Sequence, residues 1–139
     1  MARLDDADCR ERFAAARVAR LATAGADRQP HLVPITFVLV ADRIFTAVDH
    51  KPKATTRLRR LRNIAENAAV SLLVDRYDDD WSRLWWVRAD GVATVLMGGR
   101  DRGGAVDALV GKYPQYRGNA PRGPVIAVNV TAWSGWSYG

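Results

Sequence analysis

Six strand-length runs rich in β-branched and aromatic residues, set between short turns, leave this chain room for only three helices. The runs are "RVARLAT" (17–23), "HLVPITFVLV" (31–40), "RIFTAV" (43–48), "AVSLLVDRY" (69–77), "LWWVRADGVATVLM" (84–97) and "VIAVNVTAWSGW" (125–136). The fifth reads as one long strand or as a tight hairpin at Asp90-Gly91. Connections this short join antiparallel neighbours, because a parallel pair needs a crossover of a dozen residues or more. Three helices cannot cover both faces of such a sheet. A mainly β (α+β) domain of six or seven antiparallel strands, curled into a small barrel, is the expected solution. Pro34 lacks a ladder donor, which places its part of the second run on an edge or at a bulge.

The helices are expected over "DDADCRERFAAAR", from Thr55 or Thr56 to about Ala68, and over "RDRGGAVDALVGKY" (100–113). The first carries acids in its opening turn and sets Cys9, Phe13 and Ala16 on one face. In the second, Leu58, Leu61, Ile64, Ala65 and Ala68 recur at helical spacing. At 139 residues, with no repeat or linker, one domain spanning 1–139 is expected. No apolar run approaches the roughly 20 residues of a membrane helix, and the charged opening segment lacks a signal peptide's apolar stretch, so the expectation is a cytoplasmic protein with no membrane partner. One cysteine excludes an internal disulfide, and Cys9 reads as a small residue on a helix face. His31 and His50 have no partners at metal-ligand spacing, so no metal site is expected.

Charge is distributed unevenly. From His50 to Ala65 there are six Lys or Arg and no acid, in a chain of 21 Lys+Arg and 15 Asp+Glu. Setting those six aside leaves 15 of each sign, so the formal surplus of +6 can be assigned to this one stretch. Arg57, Arg59 and Arg60 crowd a helix start, where cations are disfavoured and acids preferred. A bound phosphate would remove that conflict, since amide N–H groups, threonine hydroxyls and cations would share one anion. The competing reading is a solvated basic face. The periodic apolar residues of the helix divide the set, with Arg57 turned to the strand end and Arg59, Arg60 and Arg62 more exposed. The five tryptophans fall in two groups, "WSRLWW" and "WSGW". Strand alternation sends Trp85 and Trp86 to opposite faces, one to the core and the other to a ligand, a partner or solvent.

Together, "RVARLAT", "PHLVPITFVL", "IFTAVDHKPK", "LRRLRNIAENAAVSLLVD", "DDDWSRLWWVRADGVATV" and the closing tryptophan resemble the small flavin/deazaflavin oxidoreductases of the pyridoxamine-phosphate-oxidase-like group, also called PPOX-class F420-dependent enzymes. The resemblance runs from about residue 13 to the end. It implies an FMN-binding-like split β-barrel homodimer with two cofactor sites at the subunit interface. It implies coenzyme F420, or alternatively FMN, with the phosphate on Lys51, Lys53, Thr55, Thr56 and Arg57. The ring system would lie along Pro34, Ile35 and Thr36 of one strand and Ala47 and Val48 of the next, and Trp81 would approach from the partner subunit. The activity implied is hydride transfer from reduced F420 to an electron-poor conjugated small molecule. Such chemistry belongs to the cofactor, and no catalytic side chain is nominated. Arg59, Arg60 and Arg62 favour F420, whose oligoglutamate tail FMN lacks. The alternatives are an FMN-dependent oxidoreductase of the same fold, or a non-catalytic binder of the cofactor or of an anionic ligand. Nucleic acid is the weakest of these, because the basic tract is short and no helix-turn-helix or zinc pattern accompanies it.

Overall fold

The computed structural model describes residues 2–48 and 58–139. Eight strands form one antiparallel sheet: β1 (Ala2–Arg3), β2 (Ala19–Ala24), β3 (Pro30–Ile35), β4 (Val38–Val40), β5 (Arg43–Ala47), β6 (Ala69–Arg76), β7 (Trp85–Leu96) and β8 (Val125–Ser137). Their order is β3-β2-β6-β7-β8-β5-β4, with the short β1 paired to β8. Among the described residues three α-helices flank the sheet: α1 (Asp6–Ala15), α2 (Arg59–Glu66) and α3 (Gly99–Lys112).

The topology forces curvature. β3 and β4 are the two ends of the strand order, yet only Thr36 and Phe37 separate them in sequence. Three Cα steps span about 11 Å at most, so the sheet must curl until its opposite edges nearly meet at this crossing. The result is a curled antiparallel split barrel. The run 31–40 is therefore two strands and not one. Thr36 and Phe37 fit the strand pattern locally, and only closure of the sheet breaks it. β3 is an edge strand, and Pro34, opposite Arg20, is tolerated there.

β7 is one strand, not a hairpin. It pairs with β6 on one side and β8 on the other, and absorbs the Asp90-Gly91 turn signal as a register shift. At Gly91 an added Cβ would collide with the Asn129 carbonyl oxygen, so the close approach of β8 admits only glycine. Asp90 is held by the Ser71 hydroxyl at 2.7 Å and by Arg88 at 3.1 Å.

The barrel interior is filled by Leu21, Ile44, Leu72, Val74, Val87 and Ile126, with Phe13 of α1 and Phe37 of the crossing. A second, smaller core lies under α3, where Phe45, Val125 and Ala127 meet Ala105 and Val106. The first four residues of β8 are consequently buried on both faces.

α1 starts where the acids predict, with the Asp5 carboxylate accepting from Asp8 N–H at 2.8 Å. Its inner face carries Cys9 and Phe13, both fully buried. Burial, followed by the charges of Asp6, Asp5 and Asp8, pushes the Cys9 thiol up, which keeps it protonated and unreactive. α2 departs from expectation. It begins at Arg59 with Leu58 at its N-cap and no side chain capping it, and Thr55 and Thr56, expected as caps, lie outside the described residues. Ala65 is exposed, and Asn63 takes an inward place, donating to the Thr23 hydroxyl at 3.0 Å. Among the described residues no helix is long and apolar enough to cross a membrane.

Candidate functional site

At the barrel crossing, the ends of β3 and β5 border a cleft of about 410 Å³. Its strand side consists of Pro34, Ile35 and Thr36 next to Thr46, Ala47 and Val48. Five residues expected along a ring system thus share one cavity, although they come from two separate strands. Arg60, on the first turn of α2, lines the cleft as well. The opposite wall is the segment after α3, through Gln115, Tyr116, Asn119 and Pro121. Among the described lining residues none is a carboxylate and one is a cation. Such a lining suits a ligand that is anionic at one end and flat and neutral elsewhere.

Lys51, Lys53, Thr55, Thr56 and Arg57 lie outside the described residues. The three arginines that follow divide their roles. Arg59 is half-buried, paired with Asp27 at 2.9 Å and donating to Asn63 at 3.2 Å. Arg60 is half-buried in the cleft, and only Arg62 is exposed as a free-standing basic face would require. A common exposure for all three is thereby corrected, because helical spacing turns each to a different neighbour. Trp81 sits 63% exposed in a 3-10 turn (Trp81–Arg83) and is not part of the cleft lining in its own chain.

Two tyrosines tie the far wall to the crossing. The Tyr113 hydroxyl accepts the Phe37 N–H at 3.0 Å and lies within donating distance of the carbonyls of Phe37 (2.9 Å) and Arg17 (3.0 Å). Tyr116 shares a 2.9 Å hydrogen bond with Thr36 Oγ1. The Thr46 hydroxyl donates to the Thr36 carbonyl at 2.7 Å, which fixes the same residue from β5. None of this wall was legible in "PQYRGNAP", which reads only as loop. Its one signal is a tyrosine and two amides in a segment otherwise built of turn residues.

Lys112, beside Tyr113, donates to the carbonyls of Ala14 (3.2 Å) and Ala16 (2.8 Å) and stands 3.9 Å over the Phe37 ring. Burial, and secondarily the charge of Arg17, lowers its pKa to about 8. Between pH 8 and the ordinary lysine value of 10.5 the unfolded chain therefore holds the extra proton, and stability rises with pH. Burial raises the Tyr113 and Cys9 pKa values, which opposes the trend above their ordinary values of 10 and 9. Thermal unfolding is expected to shift upward from pH 8 to about 9, where Cys9 does not yet oppose it, and Lys112→Met should flatten that slope. A wild-type midpoint that falls across this window would contradict the assignment.

The outer face of β3, β2, β6 and β7 carries a shallow apolar concavity lined by Leu32, Leu73, Tyr77 and Trp86, with the Arg20–Asp75 pair at 3.8 Å. Trp85 turns inward under Arg12, whereas Trp86 faces outward opposite Trp136, as strand alternation requires. Leu32 and Pro34 alternate onto the exposed side of β3, so this face runs continuously into the cleft.

A family model described as pyridoxamine 5'-phosphate oxidase matches residues 6–137. No curated protein matches the chain in sequence. Among solved structures, a FAD-binding protein from Mesorhizobium loti aligns with a TM-score of 0.74 at 20% identity, over 96% of this chain and 95% of its own. A FAD-binding protein from Mycobacterium smegmatis aligns with a TM-score of 0.68 at 19% identity, over 97% and 98% of the two chains. HutZ, the heme storage protein of Vibrio cholerae, aligns with a TM-score of 0.72 at 14% identity, over 95% and 93%. At these identities the structural likeness speaks for the fold alone.

Proposed function

Because this chain belongs to the pyridoxamine 5'-phosphate oxidase family, we propose that its cleft holds a flavin-type redox coenzyme, coenzyme F420 in the first reading, and that the protein is an oxidoreductase acting on an electron-poor conjugated small molecule. The observation that carries this reading is the convergence of Pro34, Ile35, Thr36, Ala47 and Val48 on one cavity that also receives Arg60 from the basic segment. When bound, the coenzyme supplies the hydride chemistry. The chain's own share is binding and exclusion. The strand ends give the ring an apolar floor, the 115–121 wall restricts water, and Arg60 sets the anionic pole. Lys51, Lys53, Thr55, Thr56 and Arg57 complete the phosphate site in this proposal.

FMN is the second reading. The observation favouring it is that Arg59 is already committed to Asp27, which leaves fewer cations for an extended acidic tail. The two similar proteins described as FAD-binding point the same way for the ring.

The apolar outer face fits a second copy of the chain. It exposes Leu32, Tyr77 and Trp136 by 67%, 70% and 40%, and its continuity with the cleft through β3 would place a partner beside the coenzyme. Trp81 is then a candidate contact across that interface.

Fluorescence titration of purified protein with F420 and FMN side by side tests the cofactor, and sedimentation at the same concentrations tests the assembly. Saturable binding of one probe by a species of twice 15.4 kDa is expected. Absence of binding to both at low salt would remove the coenzyme reading, and a monomer would remove the shared-site arrangement.

A further inference from the structure

One feature of the cleft is more polar than an anion site or an apolar floor requires. Thr36 Oγ1 and the Tyr116 hydroxyl share one hydrogen bond of 2.9 Å, and either atom can be its donor. Two hydroxyls carry two protons between them. One proton is used within the pair, and the other must leave it. Among the described residues neither hydroxyl has a second hydrogen-bonding partner, and both residues line the cleft. The pair therefore offers its remaining proton, or in the reverse orientation a lone pair, to whatever occupies the cavity.

The pair is held in place from several sides. The Thr36 carbonyl accepts from Thr46 Oγ1, the next residue is locked by Tyr113, and the Tyr116 ring packs edge-on against Tyr113 with centroids 5.8 Å apart. A hydroxyl fixed in this way loses little freedom on binding and so contributes most of its hydrogen bond to affinity. Its neighbours on the same wall, Gln115 and Asn119, are neutral donors and acceptors, whereas the described cation of the lining, Arg60, comes from α2. The two kinds of recognition thus arise from different elements.

We propose that Tyr116, oriented by Thr36, is the residue that reads the neutral carbonyl-bearing edge of the bound ring system. This rests on the coenzyme reading above and sharpens it. With Thr36 donating to Tyr116, the tyrosine proton goes to a ring carbonyl oxygen. With the internal bond reversed, the tyrosine oxygen accepts from a ring N–H. One side chain can therefore follow a ring edge that carries both groups, and no covalent step is involved.

The test uses Tyr116→Phe, which keeps the ring packed on Tyr113 and removes only the hydroxyl, with FMN and F420 as probes on the full chain. For the probe that wild type binds, the variant is expected to raise Kd about tenfold, the worth of one hydrogen bond. The infrared carbonyl stretch of the bound probe should move to higher frequency, towards its unbonded position. Weaker binding with both the carbonyl and the ring N–H stretches unchanged would mean that the pair only clips the wall to the crossing, and would overturn the proposal. So would an unchanged Kd. Wild-type protein that binds neither probe would overturn the coenzyme reading and this one with it, a result distinct from either of the others.

Discussion

Phe13→Ala is expected to lower the stability of this chain by about 4 kcal/mol, within the range for removing a fully buried aromatic side chain. Phe13 is wholly buried, and its ring lies 4.8 Å from Phe37 and 5.4 Å from Trp133. The substitution removes both aromatic contacts and leaves a cavity that α1 cannot collapse to fill, because Asp5 caps the helix and Cys9 is packed one turn away. Against a total of roughly 5–15 kcal/mol, that is a large share. At a few degrees per kcal/mol, the melting temperature should fall by on the order of 10 °C. Phe37 is the residue after Thr36, so damage at Phe13 also loosens the crossing on which the cleft is built. Denaturant unfolding monitored by tryptophan fluorescence checks the prediction. A loss below about 1 kcal/mol would show that α1 is not part of the cooperative unit.

Arg60→Glu is expected to weaken FMN binding about a hundredfold while leaving the barrel folded. Loss of one partner of a desolvated charge pair typically costs about 2–5 kcal/mol, and the substitution adds repulsion between the new carboxylate and the phosphate. Arg60→Lys should retain most of the affinity, because it keeps the charge but not the planar fork. The salt dependence of binding should flatten in Arg60→Glu, since an attractive term has been removed. Equilibrium titration at two ionic strengths, with unfolding measured in parallel, provides the readout. Unchanged FMN affinity would move the anion away from the start of α2 and towards another part of the basic segment.

Much of the architecture could be read directly from residue pattern. β-branched runs located the strands, Asp5 and its acidic neighbours marked the start of α1, and alternation put Trp85 and Trp86 on opposite faces without saying which is inward. What escaped was imposed from a distance. The break at Thr36–Phe37 has no local signal, because both residues suit a strand and only closure of the sheet separates β3 from β4. The Asp90-Gly91 dipeptide is a sound turn signal that two flanking strands override. Leu58 as N-cap and Asn63 as an inward residue follow from how α2 docks on β2, which spacing alone does not reveal. For the cleft, family resemblance named strand-end residues that share its lining, but the opposing wall had no such pointer. Gln115, Tyr116 and Asn119 look like ordinary loop until the fold lays them across the barrel from residues in its first third.

That span has a consequence for how the chain matures. Thr36 and Tyr116 are 80 positions apart, and Phe37 and Tyr113 are 76 apart. A nascent polypeptide that has emerged only as far as its first hundred residues holds one bank of the cavity and lacks the other. Competence to capture a small molecule therefore arrives among the last events of folding, after the highest-order contacts have closed. Any compound gripping both banks would act by mass action as a brake on unfolding of the entire molecule.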